Sequence, residues 1–212
     1  MTEPPLDVVP AESDDGHKRS TFWALIVTVL VLDFITKRVA EARLAPVRLP
    51  HSVFGDWFQW TLVYNSGAAF GLNLGPHSRW IFMALTIVAL VILARLYRAA
   101  LPSDRVRIVA LGLVCGGAVG NLLDRMRPAS RGVVDFIDIG VSQSWRWPTF
   151  NVADIAVSCG AILLAWALWG EDAEQRERDE RDRLTSATIG AEPPAASAPA
   201  PASGEFPTAA DG

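Results

Sequence analysis

The sequence has little of what most hydrolytic or metal chemistry requires. It contains three histidines and two cysteines in 212 residues. His17, His51 and His77 lie in the N-terminal segment or the first loop, outside any motif, so a Ser–His or Cys–His pair has no support. Cys115 and Cys159 both fall in apolar stretches without metal-ligand spacing, which argues against a disulfide and against a metal site. Both are expected to be small packing residues, and no cofactor is expected. No Asp-Ser/Thr-Gly tripeptide occurs, since "NSG" has Asn65 where the aspartate should be, and this excludes the soluble aspartic proteases. The net charge is −4, which gives no basis for nucleic-acid binding. Internal repeats are absent, and so are the polar groups spread through the membrane depth that a carrier or channel would need.

What the sequence has is uncharged apolar length. Half of the residues are hydrophobic, concentrated in four stretches: 22–32 (continuing to about 36), 80–93, 106–123 and 150–169. Each approaches the roughly 20 residues that cross a bilayer. The eight tryptophans fall at or just outside the ends of these stretches, where an interfacial aromatic belt belongs. The expected fold is therefore a membrane all-α protein, a four-transmembrane-helix bundle. Lys18, Arg19 and "VAEA" (40–42 and the preceding valine) imitate a cleavable signal peptide, but the long acidic lead and Asp33, Lys37 and Arg38 argue against cleavage. Basic residues on the two sides are nearly balanced, which leaves only a mild preference for cytoplasmic termini.

Residues 1–20 are polar and acidic and are expected to form a disordered arm; 21–170 form the four-helix domain. From 171 a charge run, which can extend the last helix into solvent, passes into an Ala/Pro/Ser-rich tail that cannot bury a core. In the first loop, "DWFQWTLVYN" reads as strand near the interface. Gly112, Gly116 and Gly120, with Gly117 beside them, offer a small-residue face for close helix packing.

The polar residues inside the apolar stretches are not scattered. Asp33 and Lys37 end the first stretch; Asn121, Asp124 and Arg125 end the third; Asn151 and Asp154 begin the fourth. With alternating topology these ends share one membrane face, and Asn65 and Asp135 join them from loops on that side. A carboxylate at a helix centre costs roughly 2.5–3.5 kcal/mol on insertion, less near the interface. Repeating that cost on three helices at one level points to a site. Asp33 and Lys37, four apart, can pair; each of Asn121 and Asn151 can brace the aspartate three residues on. Lys37 and Arg125 can neutralise two carboxylates, leaving Asp135 and Asp154 without an obvious basic partner, although Arg131 is near Asp135 in sequence. Two carboxylates close together in a poorly hydrated place share one proton and can act as acid and base together.

The motifs "DFITK" (33–37), "NSGAAFG" (65–71), "GGAVGNLLDR" (116–125), "GVVDF" (132–136) and "FNVADIA" (150–156) resemble, in order and spacing, the bacterial lipoprotein signal peptidases, or signal peptidase II. The match runs over about residues 20–170. The resemblance implies an intramembrane aspartic endopeptidase with four transmembrane helices and a small β cradle on the outer face. Its substrates would be diacylglyceryl-modified prolipoproteins, cut just before the lipidated cysteine. It implies Asp135 and Asp154 as the catalytic pair, with Asp33, Lys37, Asn65, Gly67, Asn121, Asp124, Arg125 and Asn151 supporting the site or binding substrate. Asp124 is the rival aspartate; its neighbour Arg125 favours a structural ion pair. Asp138 matches no motif and is expected to be solvated. The resemblance further implies a bacterial cytoplasmic-membrane protein, in contact with membrane lipids and acting as a monomer. Both termini would be cytoplasmic and the active site near the outer face.

Overall fold

The computed structural model describes residues 12–66, 68–69, 72–73, 75–127 and 131–190. In chain order these form α1 (Glu12–Arg43), β1 (Pro50–Phe54), β2 (Phe58–Asn65), β3 (Ala68–Ala69), β4 (Leu72–Asn73), α2 (Ser78–Ala99), α3 (Arg105–Met126), β5 (Val133–Ser142), β6 (Trp145–Arg146) and α4 (Val152–Gly190). The chain divides into two compact units, Met1–Trp169 and Gly170–Gly212. In the second, helix continues to Gly190, carried by Glu and Arg, which are good helix formers.

Three segments, Gly75–Ala99, Arg105–Met126 and Val152–Gly170, are long and apolar enough to cross a membrane. On α2, Leu85, Val88, Val91 and Ile92 are each more than half exposed. A water-soluble chain does not present such a stripe, whereas hydrocarbon favours it. The chain is not all-α, however: the small β structure that the resemblance implied is present. Beside the four helices stands a four-stranded antiparallel sheet in the order β1-β2-β5-β6, and β3 pairs with β4 in a separate ribbon. The strand expected in the first loop is β2; β5, which carries Asp135, is a strand where a loop was expected.

Three other expectations differ from the structure. Residues 12–20 are the first turns of α1, not an unstructured arm. They are tied down: Lys18 Nζ donates to the Ala100 carbonyl at 2.6 Å and lies over the Tyr97 ring, on which Phe22 stacks at 3.9 Å. Seven of the eight tryptophans are exposed or rim positions, but Trp60 packs within the sheet, 4.7 Å from Phe58 and 5.8 Å from Phe136. Cys115 is buried in the core, whereas Cys159 is exposed rather than a packing residue.

The glycines of α3 decide the packing. A β-carbon at Gly116 would come within 2.9 Å of the Val29 β-carbon, and one at Gly112 within 3.1 Å of that of Leu25, so α1 and α3 touch almost backbone to backbone. Gly117 faces the other way, against the Ala153 carbonyl in the first turn of α4. Below this seam, Phe22, Ile26, Leu93, Ile108 and Leu111 form the apolar core of the bundle. Gly117→Ala is expected to lower stability by about 1–3 kcal/mol, because rigid backbone on α4 must give way. Thermal unfolding of the purified protein checks this against Gly170→Ala, where a methyl meets open space. Equal midpoints for the two variants would show that α4 shifts at no cost.

Candidate active site

The N-terminus of α4 is built by "FNVAD". Asn151 precedes the helix, and its Oδ1 accepts the backbone N–H of Asp154 at 3.0 Å; Asp154 Oδ2 in return accepts the backbone N–H of Asn151 at 3.1 Å. This reciprocal pair is a capping box, which satisfies two orphan donors of the helix start. A third, the Ala153 N–H, is taken by Asp33 Oδ1 of α1 at 3.0 Å. Three aspartate and asparagine side chains thus close one helix end. The local sequence alone places Asp154 in the first turn, where the helix dipole favours negative charge.

Backbone hydrogen bonds clip this turn to β5. The N–H groups of Phe136 and Ile137 both donate to the Phe150 carbonyl, at 3.0 and 2.8 Å, and the Phe150 N–H donates back to Ile137. Asp135 lies one residue from that clip and Asp154 four. The distance between the two aspartates is therefore set by main chain rather than by flexible side chains. On its other edge β5 pairs with β2, Val63 opposite Asp135 and Asn65 opposite Val133. Gly132, at φ +125°, lets β5 start hard against the Asn65 carbonyl, where any side chain would collide.

Between the two aspartates stands Asn151. Its Nδ2 donates to Asp135 Oδ1 at 2.7 Å and to Asn121 Oδ1 at 3.2 Å. Asn121 Nδ2 donates to Asp154 Oδ1 at 2.7 Å. The orientation of each amide follows from its partners: Asn121 Oδ1 also accepts Lys37 Nζ at 3.0 Å, which leaves its NH₂ for Asp154. Asn121 thus braces Asp154, not Asp124 as its spacing suggested. Asn65 reaches Asp135 with a side-chain hydrogen bond.

Lys37 is 1% exposed and bridges Asp33 Oδ2 and Asp124 Oδ2, both at 2.7 Å. The expected partner of Asp124 was Arg125. The structure instead pairs Asp124 with Lys37 and, more loosely at 3.5 Å, with Arg127. Arg125 turns back, its Nη1 donating to the Asn121 carbonyl and its guanidinium lying 5.6 Å from the Phe82 ring, while its charge acts on Asp135, Asp154 and Asp124. Asp138 is also not solvated: it is 5% exposed, accepts from Thr61 at 2.7 Å and from Arg146 Nε at 2.6 Å, and ties β2 to β5 and β6. The odd spacing of Asp135 and Asp138 puts them on opposite faces of one strand, a signal legible once β5 is read as strand. Gly67 lies outside the described residues.

Asp135 is 2% exposed. Burial pushes its carboxyl up from the ordinary 3.8 to about 7, the charge of Asp154 adds to that, and the Asn151 and Asn65 hydrogen bonds pull the other way. Asp154 is half-buried. The arrangement therefore offers a buried carboxyl that holds a proton near neutrality beside a more accessible carboxylate at a helix N-terminus. Such a pair can take a proton from water and give one to a carbonyl or departing amine.

Comparison with known proteins is consistent with this chemistry. The family profile for signal peptidase (SPase) II matches residues 25–170. The lipoprotein signal peptidase of Ectopseudomonas mendocina (strain ymp) is 37% identical over 172 residues, covering 80% of this chain and 98% of that protein. The lipoprotein signal peptidase of Mycolicibacterium smegmatis is 41% identical over 197 residues, covering 88% of this chain and 78% of that protein. A solved bacterial membrane enzyme superposes with a TM-score of 0.63 at 29% identity, covering 73% of this chain and 91% of that one.

Proposed function

The chain belongs to the lipoprotein signal peptidase (signal peptidase II) family, membrane aspartic peptidases that cleave signal peptides from prolipoproteins, and from that premise we propose that Asp135 and Asp154 are its catalytic pair. The reading rests on one observation: Asn151 holds both carboxylates, Asp135 through its side chain and Asp154 through its backbone N–H. Asp154 takes a proton from the attacking water as the new C–O bond forms. Asp135 gives its proton to the carbonyl oxygen. The tetrahedral species collapses as Asp154 passes its proton to the amide nitrogen and Asp135 takes one back from the hydroxyl; the C–N bond breaks, a carboxylic acid forms, and the new N-terminal amine departs.

Asp33, Lys37, Asn121, Asp124 and Arg125 support this pair, and Asn65 and β2 line the extended peptide. α1 crosses the bilayer as a fourth helix, residues 21–170 forming the peptidase domain with both termini cytoplasmic. The site then lies at the outer face, deep enough to meet a cysteine whose diacylglyceryl chains stay in lipid, and shallow enough to admit water.

The test is cleavage of a diacylglyceryl-modified prolipoprotein by the purified protein across pH. Turnover is expected for the modified substrate and not for the same precursor with a free cysteine. Asp135 loses its proton as pH rises through about 7, so kcat/KM should fall on the alkaline side. A profile still rising beyond about pH 8 would remove Asp135 from the role of acid.

A further inference from the structure

Away from the aspartate pair, an open groove of about 680 Å³ runs between α1 and α3 on the outside of the bundle. Its walls are apolar, with Leu30, Val31 and Phe34 facing Leu123 and Met126. From Leu30 to Arg38 is eight residues, roughly 12 Å along the helix. Asp33 and Asp124 also border the groove, but Lys37 holds both.

The groove ends in arginines. Arg127 closes it and also lines a second hollow of about 270 Å³, shared with Arg38, Arg131, Glu41 and Tyr64. Phe34 fixes two of these cations, the guanidiniums of Arg38 and Arg127 lying 5.4 and 5.9 Å from its ring. Arg131 stands 5.4 Å over the Tyr64 ring and, among the described residues, pairs with no carboxylate. Three arginines thus face one glutamate, which Arg38 engages at 2.8 Å. Asp124 neutralises Arg127 only in part, because its other oxygen is on Lys37.

An apolar slot roughly 12 Å long that ends in surplus guanidinium matches one class of molecule. We propose that it binds an anionic glycerophospholipid of the surrounding membrane. One acyl chain lies along the α1/α3 groove, and the phosphodiester sits between Arg127 and Arg131 within reach of Arg38. Arginine forks suit phosphate oxygens, and basic pockets beside membrane helices select anionic headgroups. A free phosphate ion would gain the arginines but not the burial of apolar surface along the groove. A diacylglyceryl group carries no phosphate and has no use for the arginines. Neither Asp135 nor Asp154 lines either hollow, so this is a site distinct from the catalytic pair.

Native mass spectrometry of the full chain in detergent tests the proposal, with phosphatidylglycerol or phosphatidylcholine of identical acyl chains added. The protein is expected to retain phosphatidylglycerol in preference, and Arg127→Gln with Arg131→Gln to lose that preference by roughly fivefold per arginine. Equal retention of the two lipids by the parent, or an unchanged preference in the double variant, overturns the proposal. Arg131 is exposed, so Arg131→Gln alone provides a folded variant if the double one fails; it must show the smaller loss, and no loss overturns the assignment. Leu123→Trp fills the groove while leaving the arginines in place. It is expected to reduce retention of phosphatidylglycerol several-fold, and undiminished retention would refute the acyl-chain placement. Excess inorganic phosphate should not displace the bound lipid; displacement would mean that a free anion, not a phospholipid, fills the site.

Discussion

Asp154→Asn is expected to cut turnover of a diacylglyceryl-modified prolipoprotein by about 10²–10⁴-fold, the range for loss of a general base or acid, in a protein that still folds. An asparagine cannot take a proton from water, whatever its position. Its structural cost is small but not zero. Asp154 accepts from Asn121 with one oxygen and from the Asn151 backbone with the other. An amide can satisfy only one of these, so about 1 kcal/mol of stability should go.

Asp135→Asn should lose turnover on the same scale with the opposite effect on stability. Its Oδ1 can go on accepting from Asn151. The carboxyl it replaces is raised from 3.8 to about 7. A raised group gives its full stability below the unfolded value, and that stability is lost as pH rises through the folded value. At alkaline pH the buried charge therefore destabilises the parent. Asp135→Asn escapes this, so it should unfold at a higher temperature than the parent at alkaline pH, with the gap closing as pH falls toward 4. The rival is Asp124. If Asp135→Asn cleaved normally while Asp124→Asn folded and was inactive, the peptidase would stand with a different aspartate in the pair.

Lys37→Met is expected to cost about 3–5 kcal/mol of stability, the largest structural effect of a single substitution here. Methionine fills nearly the same volume, so the loss is electrostatic. Two carboxylates, each only a few per cent exposed, would face each other without the ammonium that lies 2.7 Å from both. Arg127, at 3.5 Å with its side chain 37% exposed, is too loose a substitute. The damage should reach catalysis as well. Without Lys37 on its Oδ1, Asn121 is free to rotate its amide and present oxygen, not NH₂, to Asp154. Asp33, which caps Ala153, would also lose its hold. Unfolding of the purified variant in detergent reads the first effect and single-turnover cleavage the second. A variant as stable as its parent would show that the triad does not hold the bundle together.

The family and its chemistry were legible in the sequence because their signals are local. Apolar runs of bilayer length, an asparagine three residues before an aspartate in "FNVAD", glycines at intervals of four and carboxylates at the ends of three helices are all properties of short segments. Spacing along one helix paired Asp33 with Lys37 and Asn151 with Asp154. Those pairings stand in the structure because i,i+4 neighbours and the capping box are fixed by helix geometry itself.

Pairings between elements could not be read this way. Asn121 and Asp124 were expected to brace each other, and Arg125 to neutralise Asp124. α1, α3 and α4 instead converge so closely, through Gly116, Gly117 and Gly120, that Lys37 and Asp154 outcompete the neighbours in sequence. β5 was hidden because "VVDFIDIGVS" is buried on both faces and so lacks the alternation of a half-exposed strand, with Asp135 and Asp138 each satisfied inside. The sequence by itself determined which chemical groups this protein carries at the ends of its apolar helices. Only the tertiary structure decided which of them meet, because a buried charge takes the partner that packing places nearest, and packing is set by contacts far apart in the chain.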